Sequence, residues 1–388
     1  MTQIQERSRP RRRLKIALDL TCLLPVETGV DRFVLNLIGG LSSSETDNDY
    51  VVVLNRGDEE RLPPVDSARW TIVPVDARNR ASRLFYQQAW IARRARREGA
   101  NLLHSLSFLA PLRSRGLKQL LTVHDMTFFT RPELHTRLHR SVPFRWLVSR
   151  SIDAVDHVMV PTRSVREDLL RLHPGRASST VSVNAHGVDP RFVPASAADV
   201  RRTLDRLRLP SDYILFVGTL GPRKNLDRLV EACKQLWRDG FAHDLVLAGQ
   251  WGDGMDSLRR AIGDPRYSGR VHTTGYLSQA DLAHVYAGAR VFTFPSLDEG
   301  FGLPPLEAMA IGVPVIAANC SALSEVYGST AVMVDADNSG ELAAAIQRLS
   351  IDEGLRAQKT RLGAALASEL SWQRTARRTL DTYEAICE

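Results

Sequence analysis

Short apolar runs alternate with longer stretches in which apolar residues recur every three or four positions, and this alternation persists through nearly the whole chain. Runs of aliphatic and β-branched residues bounded by polar or glycine turns read as buried strands, and the 3.6-residue period between them reads as helix. In the first half the pattern predicts strands over Lys15–Leu20, Tyr50–Leu54, Trp70–Val73, Leu102–Ser105, Gln119–Val123, His157–Val160 and Thr180–Val183, with helices over Val30–Leu41, Ser82–Arg97 and Ser164–Leu172. Asp189–Pro210 is rich in Pro, Ala and Arg and has no strand pattern, so it predicts a linker with a short helix. A second series follows, with strands over Tyr213–Val217, Asp244–Ala248, Val271–Thr274, Ala289–Phe294, Pro314–Ala318 and Ala331–Val334, and helices over Asn225–Trp237, Asp281–Ala287 and Gly340–Leu349. Parallel strands need crossovers, and helices supply them, so the expected class is α/β with two doubly wound parallel sheets. The expected division is a disordered basic tail over residues 1–13, a first domain over 14–190, a linker over 191–210 and a second domain over 211–370.

Composition narrows this picture. A chain of 388 residues is long for one core, which favours two domains. Cys22, Cys233, Cys320 and Cys387 form no closely spaced pair, which fits a reducing compartment rather than a disulfide or zinc framework. No apolar run approaches the roughly 20 residues that span a bilayer, and the basic N-terminal stretch lacks the apolar core of a signal peptide. The expected location is cytoplasmic. The net charge of +7 is uneven: residues 1–190 hold 29 Lys and Arg against 20 Asp and Glu, whereas residues 191–388 hold 22 against 24. A basic first half fits an anionic substrate or peripheral contact with an anionic membrane. Nucleic acid is not expected, because no helix-turn-helix, zinc or RNA-binding signature accompanies the charge.

The chemistry concentrates in Ser296–Pro314, S-L-D-E-G-F-G-L-P-P-L-E-A-M-A-I-G-V-P. Glu299 falls in a glycine-rich turn after the strand Ala289–Phe294, and Glu307 falls in a short helix that starts near Pro304 and stops at Gly312. The N–H groups of Gly300, Phe301, Gly302 and Leu303 then face whatever lies above the helix, where partial positive charge favours a phosphate. Two carboxylates flanking an anion site suit a ligand with both hydroxyls and phosphate, such as a sugar nucleotide. A second segment, F-V-G-T-L-G-P-R-K-N-L over Phe216–Leu226, links a strand to a helix through Gly218 and brings Arg223 and Lys224 to the turn. Cations at a helix start oppose the dipole, so their placement calls for an anion. Leu120–Phe129, L-L-T-V-H-D-M-T-F-F, puts His124 and Asp125 at the carboxyl end of a strand, where open α/β sheets bind ligands. Val26–Leu37 carries Gly29 and Arg32 after the first strand, and Arg32 faces either an anionic acceptor or solvent.

The first of these segments, E-G-F-G-L-P-P-L-E-A-M-A-x-G-x-P-V-I-A, resembles the E-x7-E motif of retaining glycosyltransferases of family 4, which have the GT-B fold. Phe216–Leu226 resembles that family's G-x5-K donor motif, and Val26–Leu37 resembles its first glycine-containing loop. Asn184–Phe192 resembles N-G-V-D-x-x-x-F, with His186 in place of the usual Asn, and Thr162 replaces a usual Ser. The resemblance implies two Rossmann-like domains facing across a cleft, with Ser371–Cys387 as a closing helix that returns, through residues 371–388, to the first domain. It also implies roles. Arg223, Lys224 and Gly218 would hold the donor diphosphate; Glu299, with Gly300–Leu303, would hold the sugar, and Glu307 the ribose. Gly275, Tyr276 and Leu277 would meet the base, and His124 and Asp125 would reach into the cleft as catalytic residues with Glu299, His124 contacting the transferred sugar or helping to order the acceptor. Gly29 and Arg32 would belong to the acceptor loop. The implied partners are a nucleotide sugar, with GDP-mannose first and UDP- or dTDP-sugars next, and a saccharide or lipid-linked acceptor. No cofactor and no metal are expected, since the basic pair stands where a cation would. A phosphorylase, an epimerase and a non-catalytic sugar-nucleotide binder are the alternatives.

Overall fold

The computed structural model describes residues 13–388, so all of the expected basic tail except Arg13 lies outside the described residues. The chain forms two parallel sheets. The first contains β1 (Lys15–Asp19), β2 (Asp49–Asn55), β3 (Trp70–Val75), β4 (Leu102–Ser105), β5 (Lys118–Thr122), β6 (His157–Val160) and β7 (Val181–Val183), in the order β3-β2-β1-β4-β5-β6-β7. The second contains β8 (Tyr213–Val217), β9 (Asp244–Ala248), β10 (Val271–Gly275), β11 (Ala289–Phe294), β12 (Val315–Ala318) and β13 (Val332–Val334), in the order β10-β9-β8-β11-β12-β13. Every predicted strand is present, with ends that match or differ by at most two residues. Their interiors explain why they were readable: β8 is buried at all five positions and β2 at six of seven, as strands covered by helices on both faces must be. Chain order reverses at β1/β4 and at β8/β11, and each reversal opens a crevice at the carboxyl ends of the strands.

The predicted helix Ser82–Arg97 is interrupted. It runs as Arg80–Phe85, a π turn over Tyr86–Trp90, and Ile91–Arg97. The wider turn lets two consecutive polar side chains find partners: Gln87 donates to Asp19 Oδ2 at 3.3 Å, and Gln88 donates to the Ala110 carbonyl at 2.9 Å. The stretch after Asp189 contains one helix, Ala197–Leu207. The final helix, Trp372–Cys387, lies along the helix Gly29–Ser42 of the first domain. Asn184 Nδ2 donates to the Thr375 carbonyl and Thr379 Oγ1, both at 3.0 Å, and His104 Nδ1 meets the Tyr383 hydroxyl at 2.8 Å. Among the described residues no helix is long and apolar enough to cross a membrane.

Candidate functional site

Both crevices open onto one cavity of about 670 Å³ between the domains. On the second-domain side, the chain leaves β8 through Gly218 and makes a single 3-10 turn, Pro222–Lys224, before the helix Leu226–Arg238 begins. Asn225 adopts left-handed backbone between turn and helix, so Arg223 and Lys224 precede the helix rather than occupy its first turn. Both cations converge on Glu299: Arg223 Nη1 lies 2.9 Å from Oε2, and Lys224 Nζ lies 2.5 Å from Oε1. Arg223 also donates to the Asp298 carbonyl at 3.1 Å, and Lys224 Nζ sits 4.6 Å over the Phe294 ring. Burial opposes the Glu299 charge, but Arg223 and Lys224 outweigh it and hold the carboxyl below the usual range. Burial also pulls the Lys224 ammonium below an ordinary lysine; Glu299 opposes this and Arg223 adds to it. Glu299 is the one carboxylate in direct contact with both cations, while Asp125 and Asp298 act on Arg223 from further off, so the pair can exchange Glu299 for an added anion.

Gly302, at φ 84°, carries the chain from this loop into the helix Leu303–Ile311, whose first turn holds Pro304 and Pro305. Among the described residues the N–H groups of Gly300, Phe301 and Gly302 have no protein acceptor, so they remain available to a ligand. Gly300 is fixed by contact with the other domain: a Cβ there would lie 1.9 Å from the His124 carbonyl oxygen. Thr162 Oγ1 donates to the Gly300 carbonyl at 3.1 Å, so the substituted Thr162 joins the domains.

Glu307 lies one layer behind the cavity wall. Its Oε1 accepts from Arg32 Nη1 at 2.6 Å and its Oε2 from the Tyr286 hydroxyl at 2.8 Å, with the side chain 3% exposed. Arg32 lines the cavity, and its guanidinium is held by carboxylates rather than left to solvent. It crosses the cleft to Glu307 and also pairs with Glu27 at 3.2 Å, because a guanidinium this buried needs carboxylates. Burial works against the Arg32 charge, and Glu307, Tyr286 and Glu27 outweigh it.

On the first-domain side, Leu24–Val30, His124, Asp125 and His186 line the cavity. Gly29 starts its helix beside open space. His124 Nε2 lies 2.9 Å from the Leu106 carbonyl, which can only accept, so the proton is on Nε2 and Nδ1 is the acceptor. Burial keeps His124 neutral by lowering its pKa, and Leu106 and Asp125 oppose that only in part. Asp125 turns back on its own chain: Oδ1 accepts from Thr127 N at 3.1 Å and Thr127 Oγ1 at 2.8 Å. His186 is buried among Phe33, Phe301 and Trp372, with ring centroids 4.8 to 6.0 Å apart. Gly275, Tyr276 and Leu277 line the far end of the cavity with Gly249, Gln250 and Trp251.

Outside comparison decides what this arrangement belongs to. The family described as Glycosyl transferases group 1 matches residues 205–364, and Glycosyltransferase Family 4 matches residues 28–192. O-antigen chain mannosyltransferase B of Escherichia coli is 30% identical over 302 residues, which is 77% of this chain and 77% of that protein. This chain belongs to glycosyltransferase family 4. Two solved structures share its fold. Sucrose-phosphate synthase from Thermosynechococcus elongatus has a TM-score of 0.76 at 21% identity, covering 96% of this chain and 99% of that one. Anabaena HepE, solved in complex with UDP and glucose, has a TM-score of 0.73 at 18% identity, covering 96% of this chain and all of that one.

In this glycosyltransferase the residues expected at the site gather around one cavity, with Glu307 set behind it. Several contributors were not foreseen. Glu27 accepts from Gln279 Nε2 across the cleft at 2.7 Å, and Tyr286 orients Glu307. Gly249–Trp251 had a readable signal, since G-Q-W-G-D-G follows β9 directly at a strand's carboxyl end. Asp298 faces Arg131 of the first domain at 3.9 Å, and nothing in their spacing announces that pair.

Proposed function

We propose that this glycosyltransferase is a retaining mannosyltransferase. It takes mannose from GDP-mannose and transfers it to a saccharide or lipid-linked acceptor during cell-envelope polysaccharide synthesis. The observation that carries the reading is the Arg223–Lys224 pair, held by Glu299 in the wall of the cavity between the domains. The sugar and the biological setting are supported by the name of the Escherichia coli relative, an O-antigen chain mannosyltransferase.

In this reading Arg223 and Lys224 turn from Glu299 to the donor diphosphate, and the N–H groups of Gly300–Gly302 add donors to it. Negative charge grows on the diphosphate as the bond from the anomeric carbon to the phosphate oxygen breaks, and these groups meet it where it forms. The acceptor oxygen bonds to the anomeric carbon on the same face. Its proton passes to the departing diphosphate oxygen, and because attack and departure share one face the configuration is retained. Glu299, released from part of its pairing, accepts hydrogen bonds from sugar hydroxyls, and the neutral Nδ1 of His124 accepts from another. Glu307 serves the ribose by sharing the carboxylate that Arg32 now holds. Positive charge at the leaving group is assigned to the basic pair, so the transfer is expected to proceed without a metal.

A thermal-shift panel of nucleoside diphosphates and their sugars tests this, with Lys224→Ala beside the parent and chelator present in one arm. At about 100-fold excess over its dissociation constant a specific donor adds roughly 2.7 kcal/mol. The expected result is a shift with GDP-mannose that survives chelator and vanishes in Lys224→Ala. NMR of the product is expected to show the donor's anomeric configuration. A shift with a uridine or thymidine donor alone would overturn the guanine assignment, and an inverted product would overturn retention.

A further inference from the structure

The first domain carries a second surface, away from the cavity wall, that the transfer reaction does not use. Residues 77–97 contain seven arginines and no acidic residue, and residues 134–152 contain four arginines and no acidic residue. The fold puts the two stretches side by side. Gln88, in the π turn, donates to the Ala110 carbonyl at 2.9 Å, and Ser151, in the helix Val142–Ala154, donates to the same carbonyl at 3.2 Å. Burial, opposed by Asp125 and assisted by Arg80, holds His139 below the ordinary histidine value, which puts Arg80 near the start of the second stretch. Among the described residues Arg80, Arg140 and Arg150 are exposed and pair with no carboxylate.

Apolar side chains stand among these cations. Leu84 is 42% exposed, Phe85 58%, Val142 77% and Trp146 58%, so four of the eleven large exposed apolar side chains among the described residues fall on these two stretches. Exposed apolar groups interspersed along the chain with unpaired arginines are costly in water and complementary to an interface that is anionic outside and apolar beneath. Tryptophan with flanking arginine is suited to the headgroup layer, where an amphipathic ring has one wet and one dry side. The surface also adjoins the cleft. The loop that supplies the Ala110 carbonyl begins at Leu106, whose own carbonyl accepts from His124.

We propose that this face docks on an anionic lipid bilayer. Leu84, Phe85, Val142 and Trp146 enter the headgroup layer, the arginines pair with lipid phosphates, and the first-domain side of the cleft is held at the membrane surface. The proposal does not depend on the donor assignment, and its test is independent of the thermal-shift panel.

Vesicle flotation of the full chain tests it, using phosphatidylglycerol–phosphatidylcholine vesicles against pure phosphatidylcholine at low salt. The parent is expected to float with the anionic vesicles only and to be released by high salt. A cation near an anionic surface contributes roughly fivefold to partitioning, so Arg80→Gln/Arg140→Gln/Arg150→Gln is expected to lose about a hundredfold. Phe85→Ser/Trp146→Ser is expected to lose binding while keeping its melting temperature, and Trp146→Phe to lose a vesicle-induced blue shift of fluorescence. All three variants should keep donor-induced thermal stabilisation where the parent shows it, since none of these side chains lines the cavity. Equal binding to both vesicle types, or parental binding by either multiple variant, would overturn the proposal. So would light scattering that shows a dimer in the parent and a monomer in the apolar variant, because a second copy of the chain would then be the occupant.

Discussion

Glu299 and Glu307 come from one motif and lie on one loop–helix unit, yet they are held in opposite ways. Glu299 is paired entirely within the second domain, by Arg223 and Lys224. Glu307 is paired across the cleft, by Arg32 of the first domain, with Tyr286 as its intradomain partner. The first arrangement therefore survives any movement of one domain against the other, and the second exists only when the domains meet. Part of the site is pre-organised by a single fold, and part doubles as a clasp between two folds. A ligand that engages Glu299 exchanges one anion for another at fixed cations, whereas one that engages Glu307 competes with domain closure.

The comparison breaks most visibly at Glu299. Glu299→Gln leaves Arg223 and Lys224 buried without their shared carboxylate, a loss of about 3–5 kcal/mol if the cluster stays dry. Denaturant unfolding is expected to show that loss in the free protein. Phosphate or a nucleoside diphosphate should restore a large part of it, because an anion from solution can replace the missing one. A loss below about 1 kcal/mol would mean that water already reaches the cluster and that Glu299 is not the counter-ion of the empty site.

The ease of reading the two glutamates from sequence differs for the same reason. Their position after an apolar strand and on a glycine-to-proline helix start follows from local chemistry, and so do the central strands, since strands buried on both faces leave uninterrupted apolar runs, whereas the edge strand β10 has no buried position. The GT-B arrangement was legible because those runs alternate with helices through two separate series. What was not legible depends on partners distant in sequence. Arg32 and Glu307 are 275 positions apart, and no spacing rule connects them, so sequence alone leaves Arg32 between solvent and acceptor and gives no sign of the pair. The π turn in the helix after β3 is set by what Gln87 and Gln88 reach, not by the helical period of their own segment. The basic pair was placed in a helix start, but Asn225, in left-handed backbone, ends the turn first.

Arg32→Ala attacks the other glutamate with a smaller expected cost. It removes the bonds to Glu307 and Glu27 but leaves Glu307 its Tyr286 bond and Glu27 its Gln279 bond, and the domains can part to hydrate both carboxylates, so the loss is about 2–3 kcal/mol. Geometry is expected to change more than stability. Small-angle scattering of the donor-free protein should give a larger radius of gyration for Arg32→Ala than for the parent, with no such change in Glu299→Gln. If both variants scatter like the parent, the cross-cleft pair does not control closure and the contrast between the two glutamates is one of stability alone.

Asp298 sharpens the comparison at its weak end, because it also faces the other domain but with a distant partner. Its Oδ2 lies 3.9 Å from Arg131 Nε, and Arg131 is half exposed. Burial raises the Asp298 carboxyl to about 6; Arg131 opposes this and Asp125 adds to it. A carboxyl raised in the folded chain binds its proton more tightly there than in the unfolded chain. The linked stability is complete below the ordinary aspartate value of about 3.9 and is lost as pH rises through about 6. Asp298→Asn imitates the protonated form at every pH. Its melting temperature is expected to match the parent's near pH 4, to exceed it increasingly as pH rises towards about 6 and to keep a constant lead above that, the reverse of what loss of a useful ion pair would do. A variant that melts below the parent at pH 7 would show that Arg131 closes on Asp298 in solution, and Asp298 would then belong with Glu307 as a second clasp.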